Sequence, residues 1–167
     1  MITTHSLVSP TLTSKLKPGD IFYYEIGGKT ITAIAAIEEG IMCGIALCHK
    51  FSTPSKPVIF GFNSPKCISV TCDTVLQLSS CSDDWRTDRP SGEHFYVIST
   101  ENNSNIYIKI YDSFDDDRHT CYLDLIKGET LDRITPIDQL FAFSLNWKIV
   151  AKEDDRVVFF DSKKVNV

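Results

Sequence analysis

Asp20–Ile26 (DIFYYEI), the pair Gly27-Gly28 and Lys29–Ile37 (KTITAIAAI) decide the fold class. Two runs rich in β-branched and aromatic residues flank a two-residue glycine turn, the short-range pattern of a β-hairpin. Successive side chains of a strand point to opposite faces, so Ile31, Ala33, Ala35 and Ile37 share one small apolar face. Glu38-Glu39-Gly40 then turns the chain into Ile41–Cys48 (IMCGIALC), an apolar run suited to a buried central strand. The opening reads as a three-stranded meander.

The same pattern continues outward. Pro54 and Pro57 mark a loop, because proline gives no N–H to a sheet ladder. Val58–Phe62 and Cys67–Val70 read as short strands around Asn63-Ser64-Pro65, while Asp73–Leu78 fits either a strand or one helical turn. Ser79–Glu93 is the longest polar, turn-rich stretch. Beyond it His94–Thr100, Ile106–Tyr111 and His119–Ile126 alternate as strands, and Trp147–Lys152 with Arg156–Asp161 forms a closing hairpin. One helix is signalled, over about 136–145: Thr135 suits the N-cap, Pro136 the first helical position, and Asp138 the positive end of the helix dipole. Ile137, Leu140, Phe141 and Ser144 fall at helical spacing. The expected fold is mainly β, an antiparallel barrel or sandwich of short strands with one helix in the C-terminal half. The chain reads as one compact domain over 1–167, with β subdomains 15–80 and 93–167 joined by a polar loop 81–92 as the alternative division.

A chain of 167 residues can bury a core without staples. Its net charge of −5 is uneven: the 11 Lys+Arg of residues 81–167 face 17 Asp+Glu, while the first 80 residues carry 6 Lys and 5 acidic residues. No basic run reverses this field, which disfavours nucleic acid. No stretch has the length of a membrane span or the order of a signal peptide, so a cytoplasmic protein with six reduced cysteines is expected.

Four groups of residues could carry chemistry. Cys43, Cys48, Cys67 and Cys72 form two pairs of equal spacing that zinc could use, with His49 beside one of them; against this, residues five apart on an extended strand face opposite ways. Buried thiols packed as small hydrophobes are the plainer reading. Cys121 shares a strand face with His119, and His94 could approach from a neighbouring strand; an imidazolium would lower the thiol pKa and make a nucleophile, yet no nucleophile turn accompanies them. Asp112, Asp115, Asp116 and Asp117 resemble a cation cup but lack the central glycine and closing glutamate of a calcium loop, so a solvated turn is expected. The last group is the loop holding Asp84, Trp85, Arg86 and Arg89. Trp and Arg dominate interface hot spots, and the competing reading folds Trp85 back onto the body of the protein.

No catalytic or cofactor signature emerges, and the reading leans away from an enzyme. The expectation is a non-enzymatic protein-binding module with no cofactor, acting by surface occlusion as an antagonist, in the manner of an immunity-type or anti-defence-type inhibitor. Trp85, Arg86, Arg89 and Asp84 are its candidate partner-binding residues, and the acidic second half would favour a partner with a basic face. The alternative is a zinc- or thiol-dependent protein built on the first-half cysteines, or on Cys121 with His119.

Overall fold

The computed structural model describes residues 8–47, 56–91, 95–100, 105–112, 119–134 and 141–165. Its first hairpin is the one the sequence predicts. β2 (Ile21–Ile26) runs antiparallel to β3 (Lys29–Glu38), with Ile26 opposite Lys29 across the two glycines. β3 then turns into β4 (Ile41–Ala46), with Glu38 opposite Ile41. Both faces of β3 are covered: Ala33 and Ala35 pack to one side, Ile34 and Ala36 to the other.

β5 (Val58–Gly61) adds to β4, β6 (Cys67–Thr71) meets the outer side of β2, and β1 (Val8–Leu12) pairs outside β6. The rest of this sheet comprises β8 (Trp85–Arg86), β9 (Val97–Thr100), β10 (Ile106–Tyr111), β11 (Thr120–Asp124), β12 (Glu129–Leu131) and β13 (Phe141–Ser144). The 12 strands follow the order β1-β6-β2-β3-β12-β11-β10-β9-β13-β8, with β4 and β5 off this path. Pairing returns on itself through β3–β12 and β5–β10. Each of those seams is parallel and a single residue pair deep, Ile37 with Glu129 and Val58 with Tyr111. Among the described residues no continuous ladder runs round a circumference, so the architecture is sandwich-like and not a closed barrel. The second layer has three strands in the order β15 (Val158–Asp161), β14 (Trp147–Ala151), β7 (Thr74–Leu78), and a short helix α1 (Ser162–Val165) follows it.

The main core lies between the layers. Ile34, Ile45, Ile108 and Leu123 of the large sheet meet Trp147 and Phe160 of the small one. Burying each of the aliphatic side chains contributes about 1.5–3 kcal/mol. The Trp147 indole donates to the Phe95 carbonyl at 3.2 Å, which satisfies its one polar atom inside the core. On its other face the large sheet carries two aromatic clusters. Phe22, Tyr24, Phe60 and Phe62 stack with ring centroids 5.0–6.4 Å apart, above the small residues of β3 and β4. Tyr96, Ile98 and Tyr107 gather Phe141 and Phe143 in the second half.

That second cluster corrects the C-terminal part of the helix expected over 136–145. Residues 135–140 lie outside the described residues, and Phe141–Ser144 is a strand, paired with both β9 and β8. Phe-Ala-Phe-Ser also alternates with period two, sending Phe141 and Phe143 to the aromatic cluster. Over Phe141–Ser144 two flanking strands and a partly buried aromatic face are tertiary terms that outweigh the local helical spacing. Asp73–Leu78, ambiguous in the sequence, is settled as a strand by its pairing with β14.

Candidate functional site

The loop singled out in the sequence forms a corner of the sandwich. β7 belongs to the small sheet and β8 to the large one, so residues 79–84 cross between layers; Leu145-Asn146 makes the opposite crossing from β13 to β14. The two crossings are bonded together. The Ser79 N–H donates to the Asn146 carbonyl at 3.2 Å. Asp84 Oδ2 accepts from Asn146 Nδ2 at 2.6 Å and from the Ser79 hydroxyl. These two donors hold the Asp84 carboxyl below the usual carboxylate range. Ser162, fully buried, braces the same corner from α1: its Oγ accepts from the Trp147 N–H at 2.9 Å and donates toward the Leu145 carbonyl at 2.6 Å.

The four predicted partner-binding residues therefore divide. Trp85 is half-buried, its indole N–H bonded to the Ser79 carbonyl at 2.9 Å and its ring packed on the main core. Asp84 is occupied in tying the corner. Arg86 is exposed and lines a small hollow of about 140 Å³ with Asp83, Asp84, Leu145, Asn146 and Lys163. Arg89 is exposed too but turns to the aromatic cluster, where its Nε donates to the Tyr96 hydroxyl at 2.9 Å. Ser79 brings Asp84 and Trp85 together, while Arg89 bonds at a separate place.

Among the described residues the thiols are not gathered at one metal site. Cys43 points into the main core from β4, whereas Cys67 is exposed on β6. β3 and β2 lie between them, a span of three strand spacings or roughly 14 Å. Sulfurs sharing a tetrahedral zinc lie within about 4 Å of one another. Cys48 and His49 lie outside the described residues, and among the described residues no group of three or more His, Cys, Asp or Glu side chains is placed to hold a metal ion. Cys121 packs against the main core, and its thiol is pushed up to about 12 by burial and by the surrounding charges of Asp112, Glu38 and Asp132. Burial, with help from Glu38, does the same to Cys43. A thiol among carboxylates is the opposite of an activated nucleophile. His119 is exposed; His94 and residues 113–118, with the aspartate run, lie outside the described residues.

A feature the sequence reading missed is the cleft where β2 and β6 part. Their ladder spans only Phe22–Val70 and Tyr23–Ser69. Hydrogen-bonding direction alternates along an antiparallel strand. Since Ile26 closes the hairpin with Lys29, the peptide groups of Tyr23 and Glu25 face β6; since Lys66 bonds Thr13 on the β1 side, those of Cys67 and Ser69 face β2. Tyr23 and Ser69 make the last rung. Glu25 and Cys67 would make the next and do not. A cavity of about 560 Å³ opens there, lined among others by Tyr23, Glu25, Thr30, Lys66, Cys67 and Ser69. Its size is that of a ligand site. Gly27-Gly28 gives no hint of it, because the pairing of β2 with β6 is non-local.

Fold and site together define an all-β sandwich with two open strand edges at one corner and a forked ladder elsewhere. Comparison with protein family models, with curated proteins and with solved structures finds no match in any of the three. No helix among the described residues is long and apolar enough to cross a membrane.

Proposed function

We propose that this chain is a non-enzymatic protein-binding module that acts by covering a surface of a partner protein. The observation that carries the reading is the open corner. Among the described residues β7 pairs only with β14 and β8 only with β13, so each layer ends here. On β7 the groups of Asp73 and Ser79 bond toward β14, and by alternation those of Thr74, Leu76 and Leu78 face outward. An outward row of peptide groups accepts a strand from another protein. Trp85 and Arg86 lie at the same corner, bonded to Ser79 and lining the hollow beside Asn146 respectively, and both residue types supply binding energy at interfaces. The acidic second half favours approach of a basic partner face. An antagonist of the immunity or anti-defence type, soluble in the cytoplasm, is the role that suits a small acidic module of this kind.

The test is recovery of the partner with variants of the edge. Val75 and Arg86 are exposed, so Val75→Lys and Arg86→Glu change the corner surface without emptying the core. Arg156→Ala, in the hairpin between β14 and β15, serves as the control. The reading expects one protein captured by the wild type and the control and lost from both corner variants. Equal capture by all four chains would refute it.

A further inference from the structure

We propose that the cleft between β2 and β6 is a second binding site, for an extended peptide strand in which an acidic and a basic residue are adjacent. The site is separate from the corner and does not rest on the function proposed above. The missing rung specifies the backbone of the ligand. Glu25 and Cys67 each turn one N–H and one C=O into the cleft, and a chain laid between them in extended form would take up those groups as a short strand. A rounder ligand would leave them unmatched.

The side chains specify the charge. Extending the register beyond Tyr23–Ser69 would put Glu25 opposite Cys67, on the face that also carries Tyr23 and Ser69. The other face carries Tyr24 and Ile68, which belong to the aromatic cluster, and Lys66, whose ammonium lies 5.2 Å from the Tyr24 ring centroid. The cleft is thus negative on one face of the sheet and positive on the other. Neighbouring residues of a strand point to opposite faces, so an acidic side chain reaching Lys66 places the next side chain beside Glu25, where a basic residue fits. Either order of the two works, because alternation is the same in both chain directions.

Titration of the ¹⁵N-labelled protein with the blocked tetrapeptide Thr-Val-Glu-Lys, whose charged pair lies at the end that enters the fork, tests this. Saturable shifts of the Glu25 and Cys67 amides are expected. N-methylation of the Glu–Lys peptide bond should weaken binding about tenfold, the loss of one rung. In Lys66→Glu, an exposed position, the preference should invert: the analogue with lysine in place of the glutamate should bind up to about fivefold more tightly than the original, as expected of an exposed ion pair. Arg86→Glu should leave all these affinities unchanged, which separates the cleft from the corner. Absence of saturable shifts at the two amides, equal binding of the N-methylated peptide, or an unaltered preference in Lys66→Glu would each overturn the proposal.

Discussion

Asp84 shows how one residue of a candidate binding loop is committed to the fold. Its carboxylate accepts from Ser79 and Asn146 across the two layer crossings, and its pKa is lowered as a result. A lowered folded-state pKa gives stability that is present above the ordinary carboxylate pKa and lost as pH falls through the depressed value. Urea unfolding midpoints of wild type and Asp84→Asn, measured from neutral pH downward, should therefore differ most at neutral pH and converge in acid. A gap that stays constant or widens in acid would remove Asp84 from this role. The cysteines make a second residue-scale prediction. Thiolate reacts and thiol does not, so maleimide at neutral pH, mapped by peptide mass, should label exposed Cys67 and Cys81 well before Cys43 and Cys121. Early labelling of Cys121 would revive it as a nucleophile.

Strands explain what single residues cannot. Gly44 lies in the middle of β4, where glycine costs strand stability, yet it faces Phe60 across the β4–β5 ladder. A Cβ at this position would lie 2.4 Å from the Phe60 ring, which crosses the strand there. Gly44→Ala should cost about 1–3 kcal/mol by overpacking, and Phe60→Leu should recover part of that cost in the double variant; additive losses in a double-mutant cycle would contradict the account. The element scale is also where sequence reading succeeds and fails. The β2–β3–β4 meander was legible because each turn is two residues long and the flanking pattern has period two. β8, β12 and β1 were not, since they are short or polar and exist only through partners distant in sequence. Phe141–Ser144 failed for a related reason: local caps promised a helix, while β9 and β8 had already fixed a strand. The site divides likewise. Trp85 and its neighbours stood out by composition, but their corner geometry depends on Asn146, sixty-two positions away, and the cleft depends on the register of β2 with β6.

At the scale of the molecule, the two halves of the sequence are interleaved: β7 from the first pairs with β14 from the second, and β12 from the second meets β3 from the first. Among the described residues the edge strands β7 and β8 of the two layers meet at one corner. Other edges carry features that discourage pairing: β1 contains Pro10, and β15 follows an irregular register against β14. β7 has neither proline nor charge in its five residues, Thr74 to Leu78. That asymmetry is the reason the corner is read as the working surface. Hydrogen exchange on β7, with and without the captured partner, tests this most directly. In the free protein the amides of Thr74, Leu76 and Leu78 should exchange rapidly while those of Val75 and Gln77, bonded toward β14, are protected. The partner should slow the first three and leave β1 and β15 unchanged; protection that appears elsewhere and spares β7 would contradict the account.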